Sequence, residues 1–252
     1  MMKDLIKIFV CTFDKEIKTS SDVFIPMQVG KAVSNFDFGY VNDDTGDNIS
    51  EKNQYYSEQS GVYWVWKNLK DSHPEYVGFC HYRKLPYFAK DHVVAEFYTT
   101  LHKYRKSGSL ELDNIRPYLI GADCVCIKPL EFNDTVEKIY KSCHIAEDFD
   151  VLHNLIKEKY SQYLEAFEYI LCRRKMMFPY NIYIMRWDLF DEYCNFIFSV
   201  FADLEKLIVL KSHTGYQSRV FGYIAERLLT VFLEYKRARV RCVPCALINE
   251  YF

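Results

Sequence analysis

The chain has 252 residues, half of them apolar and 17% aromatic, with a formal net charge of −2. That composition excludes a disordered chain, and the length suits one large domain spanning 1–252. The near-neutral charge argues against nonspecific nucleic-acid binding, which neutralises phosphates with a basic surface.

Met1-Met2-Lys3-Asp4 leads into only a short apolar run, too brief for the core of a secretory signal. No stretch approaches the ~20 apolar residues needed to cross a bilayer. Cytoplasmic residence is the expectation. Residues 5–11, rich in Ile, Phe and Val, read as a buried first strand, and Thr12-Phe13-Asp14-Lys15 as its exit loop. The 42–48 loop then crowds Asp43, Asp44, Asp47 and Asn48 around Gly46. It lacks the Gly and Glu placement of a calcium loop, which leaves a solvated turn or a set of acceptors for sugar or ribose hydroxyls.

Ser50 is a plausible N-cap for one continuous helix with Tyr55, Gln59, Val62, Trp66 and Leu69 on a single face. Gly61 inside it suggests close approach of another chain segment. Trp64 and Trp66 fall on different faces, so one belongs to the core and the other to a second core layer or a cleft.

Residues 76–80 form a short buried strand that runs into His81-Tyr82-Arg83-Lys84. Cations directly after an apolar strand suggest an anion site, because open α/β sheets bind ligands beyond the carboxyl ends of their strands. Residues 123–127 read as a strand with Cys124 and Cys126 on one core face. Asn133 and Asp148 are expected to cap successive helices. Residues 180–185 read as another strand, and Asp188 as the opening of a long aromatic helix.

The last clear helix, 216–235, carries a polar stripe of Arg219, Tyr223, Glu226 and Thr230 opposite Val220, Ile224, Leu228 and Val231. Arg227 sits beside it, so Glu226 is either half of a structural ion pair or a base. The nine cysteines have no export context and read as reduced small hydrophobes. Cys242 and Cys245 lack the second pair that a zinc site would need. Strands separated by helices indicate an α/β fold with a mostly parallel central sheet and a helical C-terminal half. Neither a Gly-rich phosphate loop nor a Gly-x-Ser-x-Gly elbow is present, so kinase and hydrolase readings fall away.

Gly46-Asp47-Asn48-Ile49-Ser50-Glu51-Lys52-Asn53, Tyr56-x-Glu58, Tyr63-Trp64-x-Trp66-Lys67-Asn68 and Gly78-x-x-His81-Tyr82-Arg83 resemble a bacterial family. So do Asn181-x-x-Ile184-Met185 and Arg219-Val220-x-Gly222-x-x-Ala225-Glu226-Arg227-Leu228-Leu229. That family occurs among capsular and exopolysaccharide biosynthesis proteins. It was long catalogued as a domain of unknown function and includes galactofuranosyltransferases. The resemblance implies a GT-A-like, Rossmann-like fold and a glycosyltransferase using a nucleotide-sugar donor, UDP-galactofuranose above all. The implied acceptor is a glycan or lipid-linked oligosaccharide at the inner face of the cytoplasmic membrane. Two positions depart from the family pattern: Thr12-Phe13-Asp14-Lys15 lacks a His, and Lys84-Leu85 replaces Arg-Tyr.

GT-A folds hold a divalent metal with Asp-x-Asp at a strand end, where this chain has His81-Tyr82-Arg83. The expectation is that cations replace the metal on the donor diphosphate, with Mn²⁺ or Mg²⁺ as the alternative. The donor pocket is assigned to Thr12, Asp43, Asp44, Asn48, Asn53, His81, Tyr82, Arg83 and Lys84. Glu226 is the first choice for the base of an inverting transfer, with Asp148 and Asp47 as alternatives. Trp66, Asn181, Arg219, Tyr223 and Arg227 are assigned to the acceptor or to support. The basic run 235–241 offers a peripheral contact with anionic lipid headgroups. A noncatalytic nucleotide-sugar or glycan-binding module is the competing reading, and a nucleotidyltransferase ranks below it.

Overall fold

The computed structural model describes residues 6–89 and 94–249; Leu5, where the first strand was expected to start, lies outside them. In chain order the strands are β1 (Ile6–Thr12), β2 (Phe24–Gln28), β3 (Val41–Asn42), β4 (Tyr76–His81), β5 (Lys84–Pro86) and β6 (Glu96–Thr99). They continue with β7 (Cys124–Ile127), β8 (Leu130–Glu131), β9 (Met176–Met177), β10 (Tyr183–Arg186), β11 (Val240–Val243) and β12 (Cys245–Ile248). The helices are α1 (Asn53–Tyr56), α2 (Gln59–Asn68), α3 (Leu101–Lys106), α4 (Leu112–Leu119) and α5 (Val136–Cys143). α6 (Ala146–Lys159), α7 (Leu164–Phe167), α8 (Trp187–Leu207) and α9 (Val220–Tyr235) complete them.

The main sheet runs β11-β7-β10-β4-β1-β2-β3, with β5, β12 and β6 attached beyond β4. β4, β1, β2 and β3 are mutually parallel, whereas β10 lies antiparallel between β4 and β7. The central strands are buried on both faces, which explains their unbroken apolar character. Side chains alternate: Phe9, Val77, Phe79, Cys124, Cys126, Tyr183 and Met185 face a core shared with α8 and α9. Ile8, Val10, Cys80, Val125 and Ile184 face a second core that includes Tyr104 and Ile115 of α3 and α4. The expected one-sided placement of Cys124 and Cys126 holds, their sulfurs lying 3.5 Å apart. All nine cysteines are free.

Several boundaries differ from the sequence expectation. The helix expected to run unbroken after Ser50 is interrupted at Ser57, whose φ of 52° no α-helix continues. Ser50 does not cap that helix; it opens a short 3₁₀ turn, donates its hydroxyl proton to Asp43 and accepts from Ala32 N–H at 3.0 Å. Thr135, not Asn133, caps α5, accepting from Lys138 N–H. Asp148 sits in the first turn of α6 rather than at its cap, and Asp188 likewise lies inside α8. The strand expected from residue 180 starts at Tyr183, because Tyr180 and Asn181 are left-handed, with φ of 68° and 52°. α9 begins at Val220 after a 3₁₀ turn, Gly215–Arg219.

Gly61 does mark a close approach. A methyl group there would come within 2.6 Å of Val29 Cγ1 and 3.1 Å of Met27 Sδ, where β2 exits against α2. Among the described residues no helix is long and apolar enough to cross a membrane.

Candidate functional site

β1, β2 and β4 end side by side. Thr12 pairs with Gln28 and Cys11 with His81, and Tyr82 N–H donates to Cys11 C=O at 3.2 Å. Chain order reverses here, since β2 and β3 run off one side of β1 while β4 lies on the other. Such a switch point leaves a crevice above the strand ends. A cavity of about 970 Å³ opens there. Thr12, Asn53, His81, Tyr82, Arg83, Lys84, Arg219, Tyr223, Glu226 and Arg227 all line it.

The cationic lip is a tight turn between β4 and β5. His81 pairs with Lys84, which leaves Tyr82 and Arg83 at the tip. His81 Nε2 lies 2.6 Å from Tyr180 C=O. A carbonyl only accepts, so this nitrogen carries the proton. Arg83 is exposed, its guanidinium 4.9 Å from the Tyr82 ring centroid. Lys84 Nζ stands 3.2 Å over the Tyr180 ring. Burial lowers the Lys84 pKa, and the Glu226 carboxylate opposes that shift.

Two carboxylates enter the same space. Glu226 accepts from Arg227 Nη1 at 3.1 Å, and its side chain is 21% exposed. Burial raises its pKa; Arg227 pulls it back, Glu58 pushes it up, and Lys84 and His81 pull it down. The lip and this carboxylate are therefore within electrostatic reach of each other. Glu58 is the second carboxylate, and sequence reasoning placed it in a motif without giving it a role. It lies just after the left-handed Ser57, which turns it out of the helix line into the cavity.

Asn181, buried, donates from Nδ2 to Glu58 Oε1 at 2.6 Å and to Gly222 C=O at 3.1 Å. Arg219 donates from Nε to Ser57 Oγ at 2.9 Å and lies 3.9 Å from Glu58 Oε2. A side chain at Gly222 would press within 3.2 Å of Ser57 Oγ. That clue to the Ser57 kink was present in the α9 motif. Asn181 thus supports the site from behind rather than facing the cavity.

Other sequence candidates fall outside the cavity. Asp43 is fully buried and accepts from Gly30 N–H, Lys31 N–H, Ser50 Oγ and Ser60 Oγ at 2.6–3.0 Å. Those four bonds occupy a carboxylate's acceptor sites. Asp47, exposed, accepts from the Tyr63 hydroxyl at 3.0 Å. Asn48 bonds to its own loop, and with Asp44 it borders a separate hollow of about 260 Å³. Asp148 is buried against His213 Nε2 at 2.8 Å. Trp66 packs in the core, stacked on Phe198, with Nε1 donating to Asp191. Trp64, half-buried, packs against the margin of that core and bonds Thr45, away from the cavity. Asn53 does line the cavity, but its amide donates to Ser57 C=O and Ser60 Oγ.

The basic run after α9 is partly neutralised. Lys236 pairs with Glu192, and Arg239 chelates Asp123. Arg241 donates to Pro117 C=O. The Asp-x-Asp metal arrangement has no counterpart at the end of β4. Among the described residues no group of three or more His, Cys, Asp or Glu is placed to hold a metal ion.

The reversal of strand order and the charged cavity above it define an α/β protein of the Rossmann-like class. The model of a family described as a domain of unknown function, DUF4422, matches residues 7–237, and the chain belongs to that family. Its fold is GT-A-like, similar to the solved apo structure of WbbM, a bifunctional glycosyltransferase, with a TM-score of 0.89 and 26% identity. The match covers 97% of this chain and 45% of that one, so the chain spans less than half of the protein it resembles. A search of curated proteins found no match.

Proposed function

We propose that this chain is a glycosyltransferase that moves a sugar from a nucleoside-diphosphate donor to a glycan acceptor in bacterial surface-polysaccharide synthesis. The carrying observation is the cavity over β1 and β4, where His81, Arg83 and Lys84 line the same space as Glu58 and Glu226. The family and the likeness to a bifunctional glycosyltransferase support the same reading. UDP-galactofuranose is the donor proposed from the family resemblance.

In this mechanism the diphosphate rests against the lip, whose cations stabilise the charge that develops on the leaving group. The acceptor hydroxyl gives its proton to Glu226 and its oxygen bonds to the anomeric carbon. The bond from that carbon to the diphosphate breaks, and the nucleotide leaves with the electron pair. Attack opposite the leaving group inverts the anomeric centre. A carboxylate whose pKa is raised by burial is a stronger base, as this step requires. Asn181 and Arg219 hold Glu58, which keeps a second negative charge near Glu226.

Thermal-shift titration with UDP, UDP-sugars and other nucleotide sugars tests the reading. UDP-sugars should raise the melting temperature, and the Arg83→Ala, Lys84→Ala double variant should lose that shift. If no nucleotide stabilises the wild-type chain, the reading fails. Binding across a broad donor panel with neither hydrolysis nor transfer would instead mark a noncatalytic module. Transfer should survive EDTA; loss that Mn²⁺ restores would refute charge stabilisation by the lip alone.

A further inference from the structure

One part of the cavity wall is aromatic rather than charged. His144, at the end of α5, stacks on Tyr223 with ring centroids 3.9 Å apart and planes 21° from parallel. Tyr216 adds a third ring, 5.1 Å from Tyr223 and 6.0 Å from His144. All three line the cavity. Tyr223 is 7% exposed, but Tyr216, the outermost, is 63% exposed.

The turn that carries Tyr216 is held in place. Tyr223 Oη donates to Tyr216 C=O at 2.8 Å, and Gln217 Nε2 donates to Cys143 C=O at 3.0 Å. Gln217 Oε1 also lies 3.3 Å from His144 Nδ1. Such a fixed aromatic surface can bind a ring without first paying to order itself.

Its chemistry narrows the ligand. Burial, and secondarily the Arg227 guanidinium, push the His144 pKa down to about 4, so the imidazole is uncharged at neutral pH. The faces of the tyrosine rings carry negative electrostatic potential and favour C–H groups, while the Arg219 guanidinium, 5.9 Å from the Tyr223 ring centroid, adds a hydrogen-bond donor at their margin. The apolar face of a sugar ring supplies the C–H groups, while its edge carries hydroxyls. Tyr223 and Glu226 are three residues apart on α9 and share a face of that helix. The aromatic wall and the Glu226 carboxylate therefore border one cavity.

We propose that Tyr216, backed by Tyr223 and His144, is the acceptor subsite, stacking the terminal neutral sugar of a glycan so that one hydroxyl meets Glu226. The proposal rests on the glycosyltransferase reading above for the chemistry, though not for the binding. A nucleobase could also stack on such rings, which is the outcome that the test must separate.

The test pairs kinetics with binding of neutral di- to tetrasaccharides, followed by saturation-transfer NMR without nucleotide. Tyr216→Ala, on an exposed turn, should raise the acceptor KM about tenfold, the upper end for one aromatic contact. Donor KM and the UDP melting shift should stay unchanged, and Tyr216→Phe, which keeps the ring, should recover most of the acceptor affinity lost in Tyr216→Ala. A rise in donor KM would assign the rings to the nucleobase and overturn the proposal, as would an unmoved acceptor KM. Should Tyr216→Ala abolish oligosaccharide binding while no nucleotide sugar is bound or transferred, the subsite stands and the glycosyltransferase reading falls. If transfer continues and saccharide binding is indifferent to Tyr216, the subsite falls and the glycosyltransferase reading stands.

Discussion

The 42–48 loop and the cavity wall both crowd carboxylates and amides, yet their hydrogen bonding differs. In the loop region Asp43 takes four donors, two from backbone N–H groups of the β2 exit and two from serines. The Asn68 amide bonds both the N–H and the C=O of Asp47, and Asn48 closes on its own turn. These groups pin β2, the loop and α2 together. In the cavity Glu226 has Arg227, and Glu58 has Asn181 with Arg219 farther off, so acceptor capacity remains where open space adjoins it. Polar residues mark a site when their bonding is incomplete beside a cavity; fully bonded, they are scaffold.

The largest effect should come from Glu226→Gln. Losing a general base lowers a rate by about 10²–10⁴-fold. Steady-state transfer assays should show that loss, while the UDP-induced melting shift persists. Equal loss of both would make Glu226 structural and erase the contrast. Asp148→Asn is the control: its carboxylate serves His213 away from the cavity, so kcat should change no more than a few-fold.

Asp43→Ala should produce the second effect, on stability instead of turnover. Each hydrogen bond to a charged group contributes about 1.5–3 kcal/mol net, and four donors would lose this acceptor, of which Ser60 Oγ keeps Ser57 C=O. A loss of about 3 kcal/mol or more is expected in urea melts, with donor KM unchanged in the folded fraction. A raised donor KM with unaltered stability would return the loop to the binding site.

How far each region could be read from sequence follows from what sets its structure. β1, β4 and β7 were legible because both their faces are buried, and α8 and α9 because their apolar positions repeat at helical spacing. β5, β6, β11 and β12 were not, since each is three or four residues long and exists only through distant pairing, as Ala246 with Leu85 and Phe97. The lip and the α9 stripe were legible as cations after a strand and a polar face on an apolar helix. Glu58 was hidden because periodicity carries a helix straight through residues 50–69. Only the left-handed Ser57, packed against Gly222, redirects it. The 42–48 loop misled for the opposite reason: residue types give acceptor content, not which donors already fill it.

The subtlest way to sharpen the comparison is Glu58→Gln. As the proposed base, Glu226 must be ionised to take a proton, so kcat/KM should fall on the acid side as pH drops through its pKa, which burial has raised. Glu58 adds to that rise by like-charge repulsion. The amide removes this repulsion, keeps an oxygen for Asn181 Nδ2, and leaves the Arg219 charge less compensated. Losing the repulsion and freeing the Arg219 charge both favour the ionised form, so the acidic limb of the pH–rate profile should move to lower pH. The weaker base should also lower the plateau rate. Were the limb to stay put or move upward, the two carboxylates would not share one electrostatic site, and Glu58 would join Asp43 as scaffold.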